Sequence, residues 1–398
     1  MWVSLRAYLT SAAGGDLQVR KMGEGPLVII HYRKGISDMD IPHVRWFRSV
    51  VWNTESNMPV SVSTPKAIRE DAGAGSEVGP VGGNVLEWGA ADFEGKVVRE
   101  YLEGVTMNLF RAVAGGPVEV STRTRMGAGA GFYNKTTFRQ MLEDAVVAAG
   151  FESIEAFFDK NVQTGETFLT VLMQHPEHRV VEKVEAAHVF VLQAGAIRED
   201  GCVVIREGCS GAPAIVEGPV EGQTAASWFE GLVNGRTWVW QGVVVQDSEG
   251  RRWRIRSAVY RMIRSLRGST ARSDERFFSL RAAGLVKTYL QYYPEESKAF
   301  WGYEKWLRAA TQTLYNYYVE IYKARRISLT DVDARWHTHL GALHHMFTVQ
   351  LKPVRNGLHM SHVVTYMNAL PTPRLLFLMN LDKRIAPKKQ VWPAPAVV

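Results

Sequence analysis

The stretch "REYLEGVTMNLF", residues 99–110, decides how the rest of the chain is read. Gly104 stands before an alternating run that begins at Val105, which predicts a turn leading into a strand. Tyr101 and Glu103 put a phenol and a carboxylate beside that turn, and the stretch holds no lysine. The question it poses is whether those polar groups do chemistry or only build the turn.

Working outward, 398 residues exceed the usual size of one hydrophobic core, so two domains are expected. Hydrophobic residues make up 46% and charged residues 22%, which places the chain among folded globular proteins. No apolar run is long enough to span a bilayer. The start, "MWVSLRAYLTSAAGG", has one Arg and no continuous apolar core, and is read as a first strand or arm rather than a signal peptide. Cys202 and Cys209 cannot form a disulfide framework, and a reducing compartment is expected.

The net charge of +7 favours anionic partners, and it is clustered. "RRWRIRSAVYRMIRSLRGSTAR" (251–272) carries eight arginines. Arg261, Arg264 and Arg267 recur every three residues, so a helix there would carry a sloping basic stripe. That stripe is either a solvated helix face or a surface for nucleic acid or an acidic partner.

The first 270 residues read mostly as strands with short helices. "RSVVWNTESNMPVSVSTPK" (48–66) is two extended runs about a polar turn. "AVAGGPVEVSTRTR" (112–125) turns at Gly-Gly-Pro into a strand. "TTFRQMLEDAVVAAGF" (136–151) predicts a helix capped by Asn134 or Thr136 and closed by Gly150. "WVWQGVVVQDSEGRRWRIRS" (238–257) is a hairpin turning at Asp247–Gly250. The Gly-rich runs 71–83 and 207–223 read as mobile insertions or long loops. After residue 270 aromatic residues keep helical spacing from Pro294 onward, which predicts a domain of about four helices over 271–385. Residues 386–398 form a Pro-rich extended tail.

"GAGAG" (127–131) lacks the Gly-Lys-Ser/Thr ending of a phosphate loop, and Lys135-Thr136 falls at the wrong offset, so it is read as a connection. His337 and His344 have no Cys or carboxylate near in sequence to complete a metal site and are assigned to packing.

Residues 45–260 resemble the nucleotidyltransferase domain shared by ATP-dependent RNA ligases, DNA ligases and capping enzymes. The resemblance implies an α+β fold: an antiparallel β-sheet nucleotidyltransferase (ATP-grasp-like, RNA-ligase) domain with flanking helices, followed by an α-helical domain. In that family a Lys-x-Asp-Gly motif supplies a lysine that forms a lysyl-AMP intermediate. Tyr101-Leu102-Glu103-Gly104 is similar to that motif in place. "FRSVVWNTESNMPVSVSTPKA" resembles the strand pair before it, ending in a Pro-Lys step at Lys66. "STRTR" (121–125), with Arg123, resembles the strand that faces the nucleotide. "LMQHPEHRVV" (172–181) is similar to the family's Pro-x-Asn-Arg-Ile-Val segment, and 241–257 to its closing hairpin. The tail segments "YLQYYPEES", "LYNYYVEIYKAR", "HLGALHHMF" and "LPTPRLLFLMN" resemble those of RNA-ligase-like proteins of large nucleocytoplasmic DNA viruses.

The departures run together. The lysine position is Tyr101, the family Asp is Glu103, and the family Glu is Gln241. Lys-x-Lys becomes Arg254-Ile255-Arg256, and Leu172 stands near a lost glutamate. A phenol with an ordinary pKa near ~10 is a poor substitute for a neutral amine. Gln241 removes a carboxylate that would hold a divalent metal. Arg254 and Arg256 keep positive charge on one strand face.

The resemblance therefore implies a degenerate ligase with no catalytic residue and no metal ligand. Its vestigial pocket comprises Tyr101, Glu103, Gly104, Arg123, Gln241, Arg254 and Arg256. The expected role is a structural or interaction module of a large DNA virus, located in the virion and infected-cell cytoplasm. Other viral structural proteins are the partners implied, with nucleic acid as a further one. Two alternatives stay open: an active ATP-dependent ligase whose nucleophile is Lys66, or Lys96 if a bulge turns its strand, with ATP and Mg as cofactors; and a nucleic-acid-binding protein using Arg261, Arg264 and Arg267.

Overall fold

The computed structural model describes residues 16–21, 25–39, 41–69, 84–131, 136–206, 208–270 and 272–385. The expected amino-terminal arm, the Gly-rich run 71–83, Asn134, Lys135 and the Pro-rich tail lie outside the described residues. The protein is α+β with largely antiparallel sheets, and it divides into two compact units, Met1–Arg264 and Ser265–Val398.

Among its described residues the first unit holds three sheets. β1 (Leu17–Lys21), β2 (Leu27–Tyr32), β3 (Val50–Asn53) and β4 (Met58–Val62) pair in order as an antiparallel meander. The turn between β3 and β4 is the expected polar one. Asn53 Oδ1 accepts from the N–H groups of Glu55 and Ser56, an Asx arrangement that bends the chain without a glycine.

The second sheet has the order β11-β10-β9-β7-β8, with β7 at Val105–Phe110, β8 at Glu119–Thr122, β9 at Phe168–Gln174, β10 at His188–Ile197 and β11 at Val203–Arg206. Every residue of β9, "FLTVLMQ", is buried, because both faces of this sheet are covered. Phe110 and Phe168 join Ile29, Val51 and Trp52 of the meander on one side. On the other, Met107, Leu169 and Val171 pack with helices α1 (Phe138–Ala148) and α2 (Ile154–Asn161). Several polar residues within this core bond one another or the backbone. Thr170 Oγ1 donates to Asn108 Oδ1, and Gln193 Nε2 to the Val62 carbonyl at 2.7 Å.

Helix α1 starts one residue later than expected. Thr137, not Asn134 or Thr136, is the cap, because Gln140 lies three residues on and closes a capping box with it. Its end is the expected one, with Gly150 at φ +88° and the Phe151 N–H bonded to the Val146 carbonyl.

The third sheet has the order β5-β13-β12-β6, with β5 at Ile68–Arg69, β6 at Val97–Glu100, β12 at Gly242–Gln246 and β13 at Arg252–Arg256. β12 and β13 form the expected hairpin at Asp247–Gly250. β5 runs parallel to β13, a departure from the all-antiparallel expectation. No hairpin joins these two strands, so no tight turn forces β5 to run against its neighbour. Trp253 and Ile255 enter a core with Trp88, Phe93 and helix α3 (Ala225–Asn234), so the period of two sends Arg252, Arg254 and Arg256 to the opposite face.

The second unit is helical, and six α-helices stand among its described residues where about four were expected: α5 (Ser273–Ala282), α6 (Val286–Tyr292), α7 (Ser297–Tyr318), α8 (His337–Met346), α9 (Met360–Ala369) and α10 (Thr372–Ile385). Helix α4 (Ala258–Arg267) precedes them. Gly284 at φ +71° splits α5 from α6, and Pro371 splits α9 from α10. His337 Nε2 bonds the Val332 carbonyl and His344 stacks on Tyr322 at 4.0 Å, so both act in packing. No helix among the described residues is long and apolar enough to cross a membrane.

Candidate anion-binding cleft

The opening stretch is the passage from the third sheet to the second within the first unit. β6 ends at Glu100, yet the Tyr101 N–H still bonds the Gly242 carbonyl at 2.9 Å. Four residues later, at Val105, the chain enters β7 beside β9. A side chain at Gly104 would put its Cβ 2.6 Å from the Met173 carbonyl oxygen and 3.0 Å from Leu172 Cγ. The glycine is therefore required by close approach of two strands, and not by φ.

Glu103 holds the crossing in place. Its Oε1 accepts from the Val180 and Val181 N–H groups, both at 2.9 Å, and Oε2 accepts from Val181 at 3.0 Å and from the Tyr260 hydroxyl at 2.6 Å. Its carbonyl accepts from Gln174 Nε2. Burial first, and then the charge and hydrogen bond of Glu103, push the Tyr260 phenol far up. Glu103 was expected as a vestige of a nucleotide pocket. It borders the cleft, but its carboxylate is consumed by fastening the 178–181 segment and α4 to the crossing.

Beside this passage opens a cleft of about 510 Å³. Its lining carries eight cationic side chains against two carboxylates, Glu100 and Glu103. Glu100 is already paired with Arg236 at 3.0 Å. Arg48, Arg99, Arg123, Arg254, Arg256 and Arg264 form no ion pair with a carboxylate among the described residues. Several are instead held by neutral acceptors. Arg48 bonds Thr64 Oγ1 and Thr106 Oγ1, Arg99 the Pro213 carbonyl, and Arg123 the Tyr32 carbonyl at 2.7 Å. Neutral partners fix the guanidinium groups without cancelling their charge, so the cleft attracts anions.

Tyr101 stands in this field. Its hydroxyl accepts from Arg256 Nη2 at 3.2 Å, and the Arg256 guanidinium lies 5.1 Å from its ring centre. Burial pushes the phenol up, but the charges of Arg256, Arg254 and Arg48, with the Arg256 hydrogen bond, together outweigh it and bring its pKa down to about 7. The phenol therefore does not keep the ordinary value of about 10 that the sequence alone suggests.

Of the other residues expected at a pocket, Gly104, Arg123, Gln241, Arg254 and Arg256 all line the cleft. Gln241 is buried with its carbonyl accepting from the Ser257 N–H, and Leu172 lines the same wall. With Gln241 and Leu172 uncharged and Glu103 consumed, the cleft does not fit a cation held by protein carboxylates. Among the described residues no group of three or more His, Cys, Asp or Glu is gathered to hold a metal. Lys66 lines the cleft with Nζ 5.8 Å from the centre of the Tyr32 ring. Lys96 is directed elsewhere, bonded to the Asp92 carbonyl and lying over Trp88.

The arginine stripe is not one surface. Arg261 is exposed, Arg264 is exposed and lines the cleft, and Arg267 is only 8% exposed, its guanidinium 6.0 Å from the Tyr293 ring centre. A helix advances 100° per residue, so a spacing of three drifts around the axis and carries the third arginine inward. Sequence reasoning did not single out Arg48, Arg99 or Tyr32. Arg48 lies within the quoted "FRSV", but nothing local marks its side chain as facing Tyr101 across the cleft.

No protein-family model matches the chain. No curated protein matches it. Among solved structures it is similar to a "Putative ATP-dependent DNA ligase from Aquifex aeolicus", at 12% identity and a TM-score of 0.34, over 84% of this chain and 78% of that one. It is similar to an archaeal ATP-dependent RNA ligase, again at 12% identity and a TM-score of 0.34, over 75% of this chain and 70% of that one.

Proposed function

We propose that the protein binds a phosphate-bearing ligand, a nucleoside triphosphate, in the arginine-lined cleft of a ligase-like nucleotidyltransferase scaffold that lacks the motif lysine. The observation that carries this reading is the set of six arginines without carboxylate partners among the described residues, around one cleft of about 510 Å³. Such a volume suits a nucleotide-sized ligand, and a triphosphate supplies the negative charge the wall lacks. The Tyr32 ring in the cleft wall holds two cations near it, Arg123 at 4.2 Å and Lys66 at 5.8 Å from its centre. In this reading the scaffold is kept for binding. A setting in a large DNA virus, in the virion and infected-cell cytoplasm with viral structural proteins as partners, comes from the sequence resemblance alone.

Titration calorimetry of the full chain with ATP, AMP and adenosine tests the reading. Affinity should rise with phosphate count and fall with salt. Arg254→Gln, which removes a guanidinium that faces the cleft, should weaken ATP by about tenfold, roughly 1.4 kcal/mol. Adenosine binding as tightly as ATP, or no binding of either, overturns it.

An active ligase using Lys66 is the second reading, favoured by the presence of that amine in the cleft lining. It predicts RNA sealing that Lys66→Ala abolishes. Binding of nucleic acid through the α4 arginines is left with Arg261 and Arg264, since Arg267 is buried.

A further inference from the structure

We propose that Tyr101 is the acceptor of a nucleotidyl group: its phenolic oxygen attacks the α-phosphorus of a nucleoside triphosphate held in the cleft, leaving the protein modified on tyrosine. The inference rests on the cleft being a triphosphate site and goes beyond binding.

Three observations place Tyr101 for this. Tyr101 lines the cleft, and the groups about its hydroxyl are cationic: Arg256 Nη2 at 3.2 Å, with Arg254 and Arg48 acting on it through their charge. Glu100, the carboxylate nearest along the chain, is paired with Arg236 at 3.0 Å, and Glu103 is engaged with Val180, Val181 and Tyr260. No general base is therefore needed, because the arginines themselves favour the phenolate. The main chain at Tyr101 is also pinned, through its N–H to the Gly242 carbonyl, which fixes the origin of the side chain.

The step balances with the triphosphate as the only co-reactant. The bond from Tyr101 Oη to the α-phosphorus forms, and the bond from that phosphorus to the bridging oxygen breaks. Pyrophosphate leaves with the electron pair. Any proton still on the phenol passes to solvent. Arg256 and Arg254 line the same cleft as Tyr101, and fixed cationic donors of this kind lower a barrier where negative charge gathers on phosphoryl oxygens. A phosphoanhydride is favoured over a nucleic-acid phosphodiester because pyrophosphate leaves without being protonated, whereas an alkoxide needs an acid. The product is a tyrosyl phosphodiester.

The test incubates the full chain with ATP radiolabelled at the α-phosphate, with Mg²⁺ as its counter-ion, followed by denaturing electrophoresis. Label should appear on the chain and survive acid, as a tyrosyl ester does and a lysyl phosphoramidate does not. ATP labelled at the γ-phosphate should leave no label, and Tyr101→Phe should abolish it. Calorimetric ATP binding by Tyr101→Phe checks that the variant has folded. Acid-labile label, or label persisting in Tyr101→Phe, overturns the proposal. ATP binding without any label overturns it too, while leaving the binding site in place; absence of ATP binding overturns both.

Discussion

Two tyrosines in the first unit bear on the same crossing and bond groups of opposite charge. Tyr260, from α4, is fully buried and donates to the Glu103 carboxylate at 2.6 Å. Tyr101, three atoms of backbone per residue and two residues upstream of that carboxylate, accepts from Arg256 at 3.2 Å. Burial acts on both in the same direction, toward the neutral phenol. What separates them is the partner: the carboxylate adds to burial and locks Tyr260 as a donor, while three arginines overcome burial and bring Tyr101 to about 7. The first pair is a fastening, with every lone pair used. The second is charge left open toward a cleft. The same local sequence, Tyr-Leu-Glu-Gly, thus contributes one residue to a buried fastening and one to the wall of a charged cleft.

The sharpest way to break this contrast is to remove the fastening. Glu103→Ala leaves the Val180 and Val181 N–H groups and the Tyr260 hydroxyl buried without their acceptor. Unmade buried bonds of this kind cost about 1–3 kcal/mol each, so a loss of about 3 kcal/mol or more is expected. Thermal unfolding of the full chain should show it as a fall in Tm of about 5 °C or more. An unchanged Tm would remove Glu103 from the role of clamp.

The open side is tested by titration. Phenolate absorbance in the near ultraviolet should show one tyrosine ionising near pH 7 that is missing from Tyr101→Phe. Arg256→Gln should move that step up by about one pH unit or more, since it removes the largest favourable charge and its hydrogen bond. Stability follows with a definite sign. The folded pKa is depressed from the ordinary value of 10.0 to about 7, so the ionised group contributes nothing below pH 7 and its contribution grows as pH rises from 7 to 10. The stability difference between the native chain and Tyr101→Phe should therefore shift in favour of the native chain over that window. A flat difference would show that the arginines do not hold the phenolate.

Much of this was legible in the sequence. The turn at Gly104, the strand after it, the β3–β4 turn at Asn53, the hairpin at Asp247–Gly250 and the helical second half all have local causes, in turn chemistry and periodicity. The alternation Arg-Trp-Arg-Ile-Arg likewise declares that its arginines share a face. The ionisation of Tyr101 has no local cause. It needs Arg48 from before β3 and Arg254 and Arg256 from β13, more than 50 and 150 residues away in the chain, and only the assembled sheets bring them together. The engagement of Glu103 was hidden for the same reason: its partners at Val180, Val181 and Tyr260 include two backbone groups, which leave no mark on a sequence. Tyr101 read in isolation is an ordinary phenol. The arginines that shift its ionisation lie elsewhere in the chain.

The smallest effect expected separates charge that faces the cleft from charge that merely lies near it. Arg261, Arg264 and Arg267 look equivalent in sequence, yet only Arg264 lines the cleft. Arg261→Ala should change ATP affinity by no more than about twofold, within the range of a surface charge acting through screened solvent. Arg267→Ala should also leave affinity nearly unchanged, but should lower Tm, because its guanidinium is buried over the Tyr293 ring. Arg264→Ala should weaken binding more than either. Calorimetry on the three variants checks the order. Equal weakening by all three would show that the helix acts through its summed charge, and that the division between a facing and a buried arginine has no bearing on the ligand.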